Sequence, residues 1–192
     1  MIQCTNFKLL FNERVLLDIN DLTFEAGKLH LIKGENGSGK TSLFRSIIGW
    51  LNLYQGTITL NGSWTYQPQH FHLFSPKIRN NLIQTSNVIE WLNKLNLDYN
   101  SEVPISKLSG GERQKIALIR TLCSDTDIYL LDEPTSYMDE YAKHIAYELI
   151  QNELLDKHKT VLLITHENVE KPFKSGIQYN LMNQTIEIEK TW

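Results

Sequence analysis

Three stretches of this 192-residue chain are apolar with almost no polar alternation: Leu29-His30-Leu31-Ile32-Lys33, Ile128-Tyr129-Leu130-Leu131 and Thr160-Val161-Leu162-Leu163-Ile164-Thr165. Such runs are expected of parallel strands covered on both faces, where neither side of the strand meets water. After the first run the period changes. Ser42-Leu43-Phe44-Arg45-Ser46-Ile47-Ile48 has helical spacing, and so does a segment ending near Cys123, with Ile116, Ala117, Ile119 and Leu122 on its buried side. Ile2 to Leu9 and Val15 to Phe24 read as strands, and final strands are expected around Gly176 to Ile188. Gly56 to Leu60 and Ser63 to Tyr66 read as a pair joined through Asn61-Gly62, a dipeptide suited to a type I′ hairpin turn. From about Phe74 to Lys107, Ile78, Leu82, Val88, Ile89, Leu92, Leu95 and Leu97 fit a few short helices. The pattern predicts an α/β fold with a parallel core, whose ligand would sit at the carboxyl ends of the strands.

The segment between the first apolar run and its helix carries the clearest chemistry. Gly34-Glu35-Asn36-Gly37-Ser38-Gly39-Lys40-Thr41 fits G-x-x-x-x-G-K-[ST] in the strand, loop, helix order that this phosphate cradle requires. The glycines let the backbone approach the ligand, so that the amides of Asn36 to Gly39, and of Ser42 beyond, can converge on phosphates at the positive end of the helix. Lys40 reaches the β- and γ-phosphates, and the Thr41 hydroxyl suits a Mg²⁺ ion, which prefers oxygen ligands. At the end of the second apolar run stand two acids, Asp132 and Glu133, where a purely structural strand would not call for charge.

A second motif narrows the reading. Leu108-Ser109-Gly110-Gly111-Glu112-Arg113-Gln114 is a capping box in local terms, with Ser109 and Glu112 three residues apart. It also resembles the signature of the ATP-binding cassette (ABC) ATPases, L-S-G-G-Q, in the form that has Glu for Gln. The resemblance runs from about Ile2 to Ile188 and implies a P-loop NTPase core with an antiparallel β subdomain and a small α-helical subdomain. A single domain over 1–192 is expected, with about 70–125 holding the helical subdomain and signature helix.

The same resemblance assigns roles. Asp132 matches the Mg²⁺-linked acid and Glu133 the general base for the attacking water. His166, after the third apolar run, matches the switch histidine that senses the γ-phosphate. Tyr66-Gln67-Pro68-Gln69 looks like the Q-loop; Gln67 competes, but the glutamine just after Pro, Gln69, fits the family pattern better as γ-phosphate and Mg²⁺ sensor. Phe11 fits the aromatic that stacks on adenine, a contact worth about 1–3 kcal/mol by analogy with base stacking. Ser136-Tyr137-Met138-Asp139 resembles the loop that crosses to a partner subunit, with Asp139 in the acidic position; alone it reads equally well as a helix start. Two copies are implied to sandwich two ATP molecules, with Ser109, Gly110, Gly111 and Asp139 supplied across the interface.

Composition adds exclusions. The net charge is −3 with Lys and Arg dispersed, so nucleic acid is not an expected partner. Cys4 and Cys123 form no metal-spaced cluster and suit a reduced setting. With no long apolar span or secretion signal, membrane association is expected only through a permease, on the cytoplasmic face. The implied function is therefore the ATP-hydrolysing subunit of an ABC transporter, a homodimer in partnership with an integral membrane permease. His70-Phe71-His72-Leu73-Phe74 and Ile78 to Leu82 look closer to exporters than to nutrient importers. Residues 70–107, 38 in all, are a short interval for the family, so the helical lobe should be small. The rival is a soluble ABC ATPase acting on ribosomes or DNA, which usually has paired cassettes or a long coiled coil. Neither is visible here.

Overall fold

The computed structural model describes residues 1–11, 14–169 and 171–192. Strands β1 (Ile2–Phe11), β2 (Arg14–Phe24) and β4 (Tyr54–Leu60) form an antiparallel sheet in the order β2-β1-β4. A six-stranded sheet joins β5 (Trp64–Gln67), β6 (Ile128–Asp132), β7 (Thr160–Ile164), β3 (Leu29–Gly34), β8 (Ile177–Met182) and β9 (Thr185–Thr191) in that spatial order. All neighbours in it are parallel except β8 and β9. Four α-helices are described: α1 (Lys40–Ile47), α2 (Val88–Lys94), α3 (Gly110–Leu122) and α4 (Glu140–Glu153).

The uninterrupted apolar runs are explained by covering on both faces. Every residue of β6 and β7 is buried, and alternate residues feed opposite cores. Ile128, Leu130, Leu162 and Ile164 pack with Leu43, Phe44 and Ile47 of α1 and with Phe7, Leu9 and Leu17 of the antiparallel sheet. Tyr129, Leu131, Val161 and Leu163 pack with Ile116 and Ile119 of α3, Ala146 and Ile150 of α4, and Ile78, Leu82, Leu92 and Leu95 of the helical lobe.

That lobe is as small as expected. It holds α2, two single 3₁₀ turns at Arg79–Asn81 and Ile105–Lys107, and the start of α3. Buried Asn81 replaces missing regular structure there, donating from its amide to the carbonyls of Ser75 and Lys77.

The expected Asn61-Gly62 hairpin does not form. β4 pairs with β1, whereas β5 pairs in parallel with β6, so the dipeptide carries the chain from one sheet to the other. Its anchor is Asp127, whose carboxylate accepts from both the amide and the hydroxyl of Ser63, while the Ser63 carbonyl accepts from the amides of Asp127 and Ile128. Long-range bonds to the start of β6 therefore override the local turn preference. Among the described residues no helix is long and apolar enough to cross a membrane.

Candidate functional site

The carboxyl ends of β3, β6 and β7 lie side by side, since Ile32 and Asp132 both register with Ile164. From β3 the chain turns through the loop 34–39 into α1. Gly34 is required by close approach: at φ +151° a Cβ would stand 2.4 Å from the Leu181 carbonyl oxygen of β8. Gly37, at φ +80°, has open space where its Cβ would be, so only conformation and whatever approaches the loop constrain it. Lys40 is buried in the cradle and donates from Nζ to the carbonyl oxygens of Gly34 and Glu35, both at 2.8 Å. Burial lowers its pKa, against the opposing pull of the Glu133 and Asp132 carboxylates.

Asp132 is 1% exposed, and its two oxygens differ in what they meet. Oδ2 accepts from the Thr41 hydroxyl at 2.7 Å and from the Tyr66 hydroxyl at 3.3 Å, whereas Oδ1 is buried without a partner. Burial raises the pKa of this carboxyl, a tendency that its two hydroxyl donors oppose.

Next along the chain, Glu133 adopts φ +49°, and its amide extends the β6–β7 ladder by donating to the Ile164 carbonyl at 2.9 Å. This turn places the carboxylate between two other loops. Oε2 accepts from the Gln69 amide at 2.9 Å, and Oε1 lies 3.3 Å from Nε2 of His166. The competing Gln67 has no such contact; its amide is buried with both polar atoms unpaired, so Gln69 is the glutamine that meets Glu133.

A cleft of about 310 Å³ collects these groups. Its walls include Asn36, Gly37, Gly39, Lys40, Thr41, Ser42, Gln69 and Glu133, with Leu16 of β2 at one side. Along Leu16, Asn36 and Gly37 it adjoins a second hollow of about 490 Å³, which Ser38, Glu35 and the β8–β9 turn also border. The donor set fits Mg²⁺: the Thr41 hydroxyl and the Gln69 side-chain carbonyl line the cleft, and Asp132, bonded to Thr41, adds an orphaned carboxylate oxygen, all of them hard oxygen ligands.

The remaining expected residues stand outside this cleft. Phe11 is 59% exposed at the end of β1 and lines neither hollow. Ser109 caps α3, accepting from the Glu112 amide while the Glu112 carboxylate accepts from the Ser109 amide, so the expected capping box is present. Gly110 has nothing within 4 Å of where its Cβ would be. Gly111 faces inward instead, with the Tyr137 carbonyl oxygen 2.7 Å from that point. Asp139 is the N-cap of α4, its carboxylate accepting from the Ala142 amide at 2.8 Å.

Two contributors escaped the sequence reading. Fully buried Gln114 donates to the Glu133 carbonyl and the Ser136 hydroxyl and accepts from the Tyr137 amide, tying the signature helix to the acid turn. A glutamine preceding the buried residues Ile116, Ala117 and Leu118 was the available signal. The other is Tyr66, which an apolar or strand-forming reading fully accounts for.

Comparison with known proteins decides the family. Residues 17–136 match the sequence pattern described as ABC transporter. The chain belongs to the ABC transporter family. It is similar to a "Probable metal transport system ATP-binding protein" of Thermotoga maritima, at 30% identity over 97% of this chain and 82% of that one. A high-affinity zinc uptake system ATP-binding protein of Bacillus subtilis is 29% identical, over 83% of this chain and 81% of its own length. Among solved structures, the ATP-binding subunit of an ABC transporter superposes with a TM-score of 0.83, covering 100% of this chain and 89% of that one at 19% identity, which shows the shared fold. This ABC protein is thus a transporter's ATP-binding subunit with the family's ATPase activity. The lean towards exporters finds no support in these relatives.

Proposed function

We propose that the subunit hydrolyses ATP with Mg²⁺ as a head-to-tail dimer on the cytoplasmic face of a membrane permease for metal-ion uptake. The observation that carries the dimer is the partition of the motifs. Lys40, Thr41, Gln69 and Glu133 share one cleft, with Asp132 and His166 bonded to its walls. Ser109, Gly110, Gly111 and Asp139 do not reach it, and Gly110 faces open space, as a residue reserved for a ligand held by a second copy would. The relatives named for zinc uptake and zinc import support metal uptake.

In this reading the loop amides and Lys40 hold the β- and γ-phosphates, and Thr41, Gln69 and Asp132 are the residues that would hold Mg²⁺. When bound, the ion neutralises phosphate charge. Glu133, oriented by Gln69 and His166, accepts a proton from the water that attacks the γ-phosphorus. The bond to the β–γ bridging oxygen breaks, and ADP leaves with that electron pair. His166 and the partner's signature then lose their shared γ-phosphate, and the dimer opens.

Replacing Glu133 with Gln should leave ATP binding intact, slow single-turnover hydrolysis at least ~100-fold and trap an ATP-dependent dimer visible by light scattering. Lys40→Ala should weaken binding itself. Wild-type single-turnover hydrolysis by Glu133→Gln would remove Glu133 as the base, and a trapped variant that stays monomeric with ATP would remove the sandwich.

A further inference from the structure

We infer that Tyr66 is a positioning residue for the metal site, fixing the Asp132 carboxylate so that its free oxygen is presented to the ion; the inference rests on the Mg²⁺ reading above. Three elements meet at Asp132. Tyr66 of β5 registers with Leu130 of β6, two residues before Asp132, so both side chains leave the sheet on the face that α1 covers. From α1, Thr41 donates to Oδ2, and from β5 Tyr66 donates to the same atom. A carboxylate held by two donors on one oxygen cannot rotate freely, and Oδ1 is left buried and unpartnered.

The phenol is itself held. Its ring stands edge-on between Phe44 of α1, at 6.4 Å between centroids, and Trp50, at 5.4 Å. The Arg45 guanidinium lies beside the hydroxyl, and a donor-only neighbour leaves the phenolic proton to Asp132. Thr41 alone would be a poor anchor, because its hydroxyl is also a candidate ligand and has to face the ion. Tyr66 belongs to the strand that leads into Gln69, so the segment bearing one metal-site residue orients another.

Outer-shell partners of this kind are worth about 10-fold in metal affinity. The test is calorimetric titration with the β,γ-imido analogue of ATP, once in excess EDTA and once in excess Mg²⁺, on wild type, Tyr66→Phe and Phe44→Leu. Tyr66→Phe keeps the ring, so its melting temperature and its metal-free affinity should match wild type, while the gain in affinity produced by Mg²⁺ should fall about 10-fold. Phe44→Leu loosens the same packing without touching the hydroxyl and should keep the full Mg²⁺ gain. A full Mg²⁺ gain in Tyr66→Phe, or an equal loss in Phe44→Leu, overturns the role of the hydroxyl. A wild-type protein whose affinity does not respond to Mg²⁺ overturns the metal reading, and this inference with it.

Discussion

His30 has 0% exposure at the end of β3 remote from the phosphate loop, and its neutral form is fully satisfied there. Nε2 donates to the Glu25 carbonyl at 2.9 Å, which leaves Nδ1 to accept from the Tyr179 hydroxyl at 3.1 Å. Burial, chiefly, holds its pKa down to about 4. Between the ordinary value of 6.5 and that value, the unfolded chain binds a proton that the folded chain refuses. Stability is therefore full above pH 6.5 and falls as the pH drops towards 4, by up to ~3 kcal/mol from this group. Denaturant titrations at steps from pH 7 to pH 4 should show that loss, and His30→Gln should flatten it relative to wild type. An acid limb of equal depth in the two proteins would assign the loss to other groups. The histidine's position inside an apolar run was legible; its neutrality was not, because Tyr179 lies 149 residues away.

At the scale of elements, the two signature glycines make a pair with opposite demands. A Cβ on Gly111 would press on the Tyr137 carbonyl, backbone that also bonds Gln114, so Gly111→Ala should cost about 1–3 kcal/mol of stability. Gly110→Ala meets nothing and should hold or slightly raise the melting temperature, since alanine favours the helix over glycine by up to about 1 kcal/mol. In the Glu133→Gln background it should nevertheless weaken the ATP-dependent dimer seen by light scattering; an undiminished dimer would show that α3 does not face a partner's nucleotide. The same elements show what the sequence made legible. β3, β6, β7, α1 and α3 were readable because an apolar run or an amphipathic period ends at a motif whose chemistry needs that geometry. β4 and β5 were misread as partners, since nothing near Asn61-Gly62 announces that Asp127 will hold Ser63. Motif order named Gln69, Asp132, Glu133 and His166, and the fold brings Gln69 and His166 onto the Glu133 carboxylate next to Asp132. The roles of Gln114 and Tyr66 depend on which atoms face them across elements, and spacing alone carries no such information.

At the scale of the whole molecule, the proposed coupling to a permease needs an apolar surface, and the helical lobe offers one. Phe74 is 67% exposed, Ile83 73% and Ile89 49%, all between the Q-loop and the signature. Phe71 differs: it is half-buried and lines a recess of about 260 Å³ with Gln69, Gly110 and Tyr137, between the Q-loop and the signature. Phe74 has the Arg120 guanidinium over its ring at 4.8 Å, a contact worth about 0.5–1 kcal/mol. Little of the fold depends on it, yet Arg120 also donates to the His72 carbonyl and so steadies the segment that displays the ring. An exposed aromatic on a braced segment is suited to a partner helix. If the proposed permease partner docks there, Phe74→Ser should leave the melting temperature and basal ATPase of the isolated subunit near wild type while abolishing capture of the permease from membranes. Phe71→Ser should instead lower the melting temperature by several degrees, as loss of a half-buried ring does. Full permease capture by Phe74→Ser would place the docking surface elsewhere, and a large fall in its melting temperature would make the ring a structural one.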